Sequence, residues 1–463
     1  MREMSSEDRH AKALSRAILT VWIFFGVSYL TRPHELLGEQ VAPRGAVCAA
    51  ASGAPAESGG AEVPEEAKGN VCKPASNSEG LSEPPQPKYE EKTIAEWIEL
   101  LKVDDLTRRD AARAALIRIG VPAVPSLMEL LKSNDDTARH WASATLSFMS
   151  PKSKGAAPAL AELLADSNPD VRHAAGGVLW HLHSEAKAAV PILRELLRNK
   201  DREIRLAALS ALGAIGRDAG AASPDVMRLL GDHDAGVRSS AALIIGNIRC
   251  ESDKAVPALL ETMIKDKDSN VRSVAALALG DFGVEAKTAT PPLTKALDDE
   301  NIDMRTRAAL ALGRIGGAIA QAGGDSKPMI AALADRLRAA KSVEARDSFA
   351  SGLGQVGPPA VPTLMELLGE SEERRLAALH GFAFVKPDDA KPAVGALTRL
   401  LSDRNPEIRG NAAAALGAIG SAAVSALPAL ERMARDDPDF RDHDTRRTAG
   451  GAVERIKEDN SKE

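Results

Sequence analysis

A chain of 463 residues with 59 basic and 65 acidic side chains carries a formal charge of −6, which gives no bulk electrostatic pull toward nucleic acid or an anionic membrane. Aromatic residues make up only 3%. Both tyrosines, Tyr29 and Tyr89, fall outside the repeated region, which removes most of the stacking platforms that a single-stranded nucleic-acid binder needs.

At the N-terminus Arg2, Arg9, Lys12 and Arg16 precede an apolar run, AILTVWIFFGVSYL, over residues 17–30. Its length suits the apolar core of an export signal and falls short of the ~20 residues that cross a bilayer comfortably. No small-x-small cleavage site follows directly, since the candidates near residues 46–51 lie far downstream. Residues 1–31 therefore read as a signal peptide or an uncleaved signal anchor. The basic flank places the N-terminus in the cytoplasm and the rest of the chain outside it. The expected location is extracytoplasmic, in the periplasm or cell envelope, with residues 17–30 as the inner-membrane anchor if they are retained. Cys48 is a poor lipoprotein cysteine, because Gly45-Ala46-Val47 lacks the leucine and small residue expected before it. Residues 32–90 are rich in Ala, Gly, Ser, Pro and Glu and read as a disordered linker. Cys48 and Cys72 lie in it and are available to pair on export. With three cysteines in all, no disulfide framework is possible, and stability must come from packing.

From about residue 91 two rulers run in fixed phase. Arginine recurs at Arg139, Arg172, Arg205, Arg238, Arg272 and Arg305, at steps of 33, 33, 33, 34 and 33. Proline recurs at Pro125, Pro158, Pro191, Pro224, Pro257 and Pro291. One unit is plain in residues 189–216. Pro191 opens an apolar helical pattern at a position where its missing N–H goes unneeded, and Arg198-Asn199-Lys200-Asp201 breaks it. Ile204, Ala208, Leu212 and Ile215 restart it, and Gly216 closes it. The unit is a pair of antiparallel amphipathic helices. Three residues after the arginine stand Ala112, Ala142, Ala175, Ala208, Ala241, Ala275, Ala308, Phe349, Ala378, Ala412 and Ala449, so the second helices must cross closely. A leucine-rich column follows four residues later and an isoleucine-rich one three further on. One hairpin cannot bury these stripes, so neighbours must stack around a shared core. Such a stack, at ~9 Å per unit, would form a curved rod roughly 90–100 Å long.

The pattern (V/A)PxLxxLL…D…(V/I)RxxAAxALGxIG resembles HEAT repeats, in particular the short phycobilisome-lyase-like variety, over about residues 92–458. The resemblance implies an all-α solenoid of about 11 stacked hairpins over residues 91–458, followed by a polar tail, 459–463. It also implies a ladder in which Arg109, Arg139, Arg172, Arg205, Arg238, Arg272, Arg305, Arg346, Arg375, Arg409 and Arg446 each meet an aspartate from a neighbouring turn. Asp136, Asp201, Asp234, Asp268 and Asp403 are the natural partners. The step from Arg305 to Arg346 is longer, with GGAIAQAGGDSKP inserted at residues 316–328. Relatives of the fold include bilin lyases and deoxyhypusine hydroxylase, an oxidoreductase that holds iron with His-Glu pairs. The small-residue columns here offer little grip on a tetrapyrrole, and the one His-Glu pair is His34-Glu35, in the linker. HEAT-like DNA glycosylases need a basic concave face with aromatics, and neither stands out.

Other constellations have plainer readings. His140 and His173 take the same place in consecutive units, with Trp180, His181 and His183 following on the second helix; they form a surface patch without evident metal convergence. Asp232-His233-Asp234 and Asp442-His443-Asp444 are capping turns. Residues 266–277 lack the glycine and glutamate of a calcium loop. The column Gly213, Gly246, Gly280, Gly313, Gly354 and Gly417 permits close helix packing. The expectation is a non-catalytic, monomeric scaffold without cofactor or metal. It binds an unidentified protein, no nucleic acid, and touches membrane only through its N-terminal segment. The contact candidates are His140, His173, Trp180, Thr306 and Asp347, together with the insertion.

Overall fold

The structure, a computed structural model, describes residues 92–149, 152–436 and 443–461. The export segment, the linker, Cys48, Cys72 and the His34-Glu35 pair lie outside the described residues. What is described belongs to one compact unit, Glu65–Glu463. It is an all-α array of eleven consecutive hairpins, from Ile94–Leu100 with Leu106–Ile119 to Leu427–Asp436 with His443–Asn460. No strand is present among the described residues.

Each hairpin follows from local chemistry. In the unit read above, the first helix is Val190–Leu196 with Pro191 in its first turn. The second is Arg202–Ile215, whose Asp201 cap accepts from the Glu203 amide. Asp105, Asp135, Asn168, Asp234, Asp268, Asn301, Ser342 and Asn405 cap eight other second helices in the same way, whereas Ser371 makes no side-chain cap to Glu372–Phe382. Such a cap stabilises a helix by about 1 kcal/mol. Gly216, at φ 66°, ends the helix in a backbone region that favours glycine. A 3-10 segment, Gly216–Ala222, then carries the chain to the next hairpin, a linker that periodicity alone did not show. Pro257 departs from the rule: its helix starts early, at Ser252, so this proline sits inside Ser252–Lys265.

The three columns meet in one continuous core. The alanines from Ala112 to Ala449 are fully buried, and Phe349 is 3% exposed in their place. Leu116, Leu146, Leu179, Leu212, Leu279, Leu312, Leu353 and Leu416 are fully buried as well, in a cluster that runs unbroken through the array. Every second helix packs on the second helix of the next hairpin in chain order, as expected where no unit covers its own apolar flank. The glycine column sets how close they come. A Cβ on Gly280 would sit 2.7 Å from Ala311 Cα, and one on Gly417 would sit 2.9 Å from Ala452 Cα. Gly313 and Gly354 face the backbone oxygens of Gly352 and Gly381.

The insertion is only partly a loop. Residues 316–321 extend a single long helix, Ile302–Gln321, and Lys327 opens the next helix, Lys327–Ala339. Gly316 and Gly317 lie within the extension. A Cβ on Gly317 would sit 2.8 Å from the Gln355 carbonyl oxygen, whereas one on Gly316 would meet nothing nearer than 3.4 Å, so the close approach is at Gly317.

Candidate functional site: the second-helix face

The ladder arginines close their own hairpins first. Arg109 donates to the Val103 carbonyl at 2.9 Å, Arg205 to Asn199 at 2.9 Å and Arg305 to Asp299 at 2.7 Å, each six residues back. Arg139, Arg172, Arg238, Arg272, Arg346 and Arg409 do the same, while Arg375 uses Leu368 at 2.9 Å. The arginine thus satisfies carbonyls left open at the end of the first helix.

Several also cross to the next hairpin, though not always to the expected acids. Arg205 reaches Asp232 at 3.0 Å, Arg238 grips Asp266 at 2.7 and 2.9 Å, Arg375 meets Asp403 at 2.7 Å and Arg139 meets Asp170 at 3.1 Å. Asp403 was anticipated. Asp201, Asp234 and Asp268 instead cap their own helices, and Asp136 pairs with Arg139 of its own helix. In Asp232-His233-Asp234 and Asp266-Lys267-Asp268 the first aspartate meets the ladder arginine and the second caps, with Asp234 also accepting from Arg202 of the preceding hairpin at 3.0 Å. Arg238 and Asp266 are nearly fully buried. The hydrogen bond from Arg238 holds the Asp266 carboxyl below its usual range.

The candidate contact residues fall into two groups. His140 and His173 are exposed on neighbouring second helices, Asp136–Phe148 and Pro169–Leu182, which pack together. Trp180 is 41% exposed on the latter and stacks with His181 at 5.2 Å and His183 at 5.5 Å. His183 has φ 46°, at the helix end where Gly120, Gly216, Gly283, Gly357 and Gly420 stand in other hairpins. A β-carbon there is strained, and such outliers gather at functional positions.

The second group is closed. Thr306 is half-buried and its hydroxyl lies 2.7 Å from Ser348 Oγ on the next second helix. Asp347 is half-buried too. Burial pushes its carboxyl above the usual range, against the opposing charges of His380 and Arg346. His380 Nε2 is 3.1 Å from Ser351 Oγ, whose hydroxyl donates to the Asp347 carbonyl at 2.8 Å. Asp281 behaves like Asp347: burial raises it although Arg314 lies 2.5 Å away.

Sequence reasoning missed a second aromatic cluster, on the two hairpins before Trp180. Arg113 lies 5.6 Å from the Trp141 ring and 5.2 Å from the Phe148 ring, and Arg109 is 5.1 Å from Trp141. Phe148 is 67% exposed. The signal was available, since Trp141 and Phe148 stand two and nine residues after Arg139, where most other hairpins carry small or polar side chains. Among the described residues no cluster of His, Cys, Asp and Glu could hold a metal ion. On the first-helix side a groove of about 630 Å³ runs between Val124–Leu131 and Ala157–Leu163, with Met128, Lys132, Lys152 and Glu162 in its walls.

Comparison with known proteins supplies the family. The model for HEAT repeats matches residues 94–180, 157–243, 218–280, 256–322 and 369–454, more than half of the chain. No curated protein matches. Among solved structures, an engineered protein is similar at 21% identity over 79% of this chain and 98% of its own, with a TM-score of 0.35. Yeast importin-beta (Kap95p) is similar at 17% identity over 80% of this chain, with a TM-score of 0.45, and a Kap95:Nup1 complex at 13% identity over 80%, with a TM-score of 0.48. This chain spans 57% and 56% of those two chains. With its repeats matched in five segments along the array, the chain belongs to the HEAT-repeat family.

Proposed function

We propose that the protein is a non-catalytic scaffold that binds another protein along its second helices, and that it does so outside the cytoplasm, exported or tethered by residues 17–30. The observation that carries the binding reading is the open patch at the start of the array. Phe148 and Trp180 are the large aromatic side chains exposed among the described residues; they stand on adjacent second helices that also expose His140 and His173, and Arg113 lies over the Phe148 ring. Exposed aromatics next to arginine are the composition of interaction hot spots. The basic residues before residues 17–30 support export.

Affinity capture from an envelope fraction with the full chain tests the scaffold. It should recover one reproducible protein partner, and recovery of none would remove the reading. Purified protein arriving with stoichiometric iron or a bound chromophore would replace it with an oxidoreductase or lyase. Full-length protein found only in the cytosol, with its first residues intact, would overturn export.

A further inference from the structure

The patch on the first three hairpins has a chemistry of its own. The second helices and the linkers after them cover residues 106–123, 136–156 and 169–189. Besides the ladder arginines they carry Arg108, Arg113, Arg118, Lys152, Lys154 and Lys187, against Asp110, Asp136, Asp170 and Glu185. That local excess of positive charge sits in a chain whose total is −6. Within it, Arg113 lies over both the Trp141 and the Phe148 rings. An arginine anchored on aromatic rings still offers N–H donors to a planar anion, with less freedom to lose on binding. Asp110, at 3.4 Å, is an exposed partner and holds it only weakly. The strained His183 and the rings of Trp180 and His181 lie one hairpin further on.

We infer that this surface takes an acidic segment of a partner protein that carries an aromatic anchor. The carboxylates pair with Arg113 and the basic edge, and the ring packs against Phe148 and Trp180. The inference rests on the scaffold reading and narrows it to one partner chemistry and one place. Charge complementarity argues for acid, and the exposed rings argue for an apolar anchor within it.

The test uses the full chain and a labelled peptide, Glu-Glu-Gly-Phe-Gly-Glu-Glu, followed by fluorescence polarisation. Two control peptides replace the glutamates with lysine or the phenylalanine with glycine. Saturable binding of the acidic aromatic peptide is expected, weakening as salt rises. Binding should fall by about tenfold or more in each of Arg113→Gln, Phe148→Ala and Trp180→Ala, and for both controls. Phe148 and Trp180 are exposed and Arg113 is half-buried, and unchanged helical circular dichroism verifies that the variants fold. Absent saturable binding, equal binding of acidic and basic peptides, or binding indifferent to all three substitutions would overturn the inference. If Trp180→Ala and Arg113→Gln still capture the same partner from an envelope fraction, the scaffold survives and this surface does not.

Discussion

The second helices between Leu106 and His183 and those between Ile302 and Phe384 share one register, yet one set displays its side chains and the other seals them. In the later set glycine brings backbones together at Gly313, Gly352 and Gly354, and the flanking hydroxyls bond across the seam, as Thr306 does with Ser348. In the earlier set Trp180 takes the column position of Gly313 and Gly354 and is 41% exposed, and Phe148, one position further along its helix, is 67% exposed. A repeat protein can therefore hold its core columns constant and change function through the few columns between them.

The largest expected effect tests what both sets share, the ladder. Arg238→Ala leaves Asp266 buried without its partner and should cost about 3–5 kcal/mol. Arg305→Ala loses hydrogen bonds to two turn carbonyls and should cost about 1–3 kcal/mol. Chemical denaturation of the two variants ranks them, and equal losses would show that the bridge to the next hairpin adds nothing. The sealed set should feel any added atom. Gly313→Ala drives a methyl group into the Gly352 carbonyl and toward Gln355 Cβ at 2.7 Å, for about 1–3 kcal/mol of lost stability. In the open set Gly177→Ala meets nothing nearer than Ser143 Oγ at 3.7 Å. It should stabilise its helix by up to ~1 kcal/mol, measurable as a higher denaturation midpoint.

Acid titration separates two aspartates by sign. Asp266 has a depressed carboxyl, so its contribution is full above the unfolded value near ~3.9 and is lost as pH falls through the folded one. Asp347 is raised by burial, so the folded state binds its proton more tightly, and stability declines as pH climbs from ~3.9 through the folded value. At neutral pH Asp266→Asn should lower the denaturation midpoint and Asp347→Asn should raise it, and both differences should vanish in strong acid. The smallest effect belongs to the displayed rings: Phe148→Ala and Trp180→Ala should shift stability by no more than ~0.5–1 kcal/mol.

The repeat columns were legible in the sequence because burial repeats with the helix, so Ala208, Leu212 and Ile215 announce themselves. Helix starts were legible because an Asx or serine cap is a local event. The bridging acids were harder. In Asp266-Lys267-Asp268 either aspartate can reach an arginine, and only packing decides that the first faces the neighbour while the second turns back to its own helix. Nothing in the sequence marks Gly317 as helical; there the close passage of Val343–Val356 leaves no room for a side chain. The pairing of Arg113 with Phe148 joins two hairpins, and no local pattern contains it.

Hydroxyl-radical footprinting of the folded protein tests the contrast between open and sealed helices most directly. Phe148 and Trp180 should oxidise nearly as fast as in the denatured chain, whereas Phe349 and Phe382, at 3% and 4% exposure, should react only once the array unfolds. Protection of Trp180 and Phe148 in the isolated protein, or ready oxidation of Phe349, would contradict it.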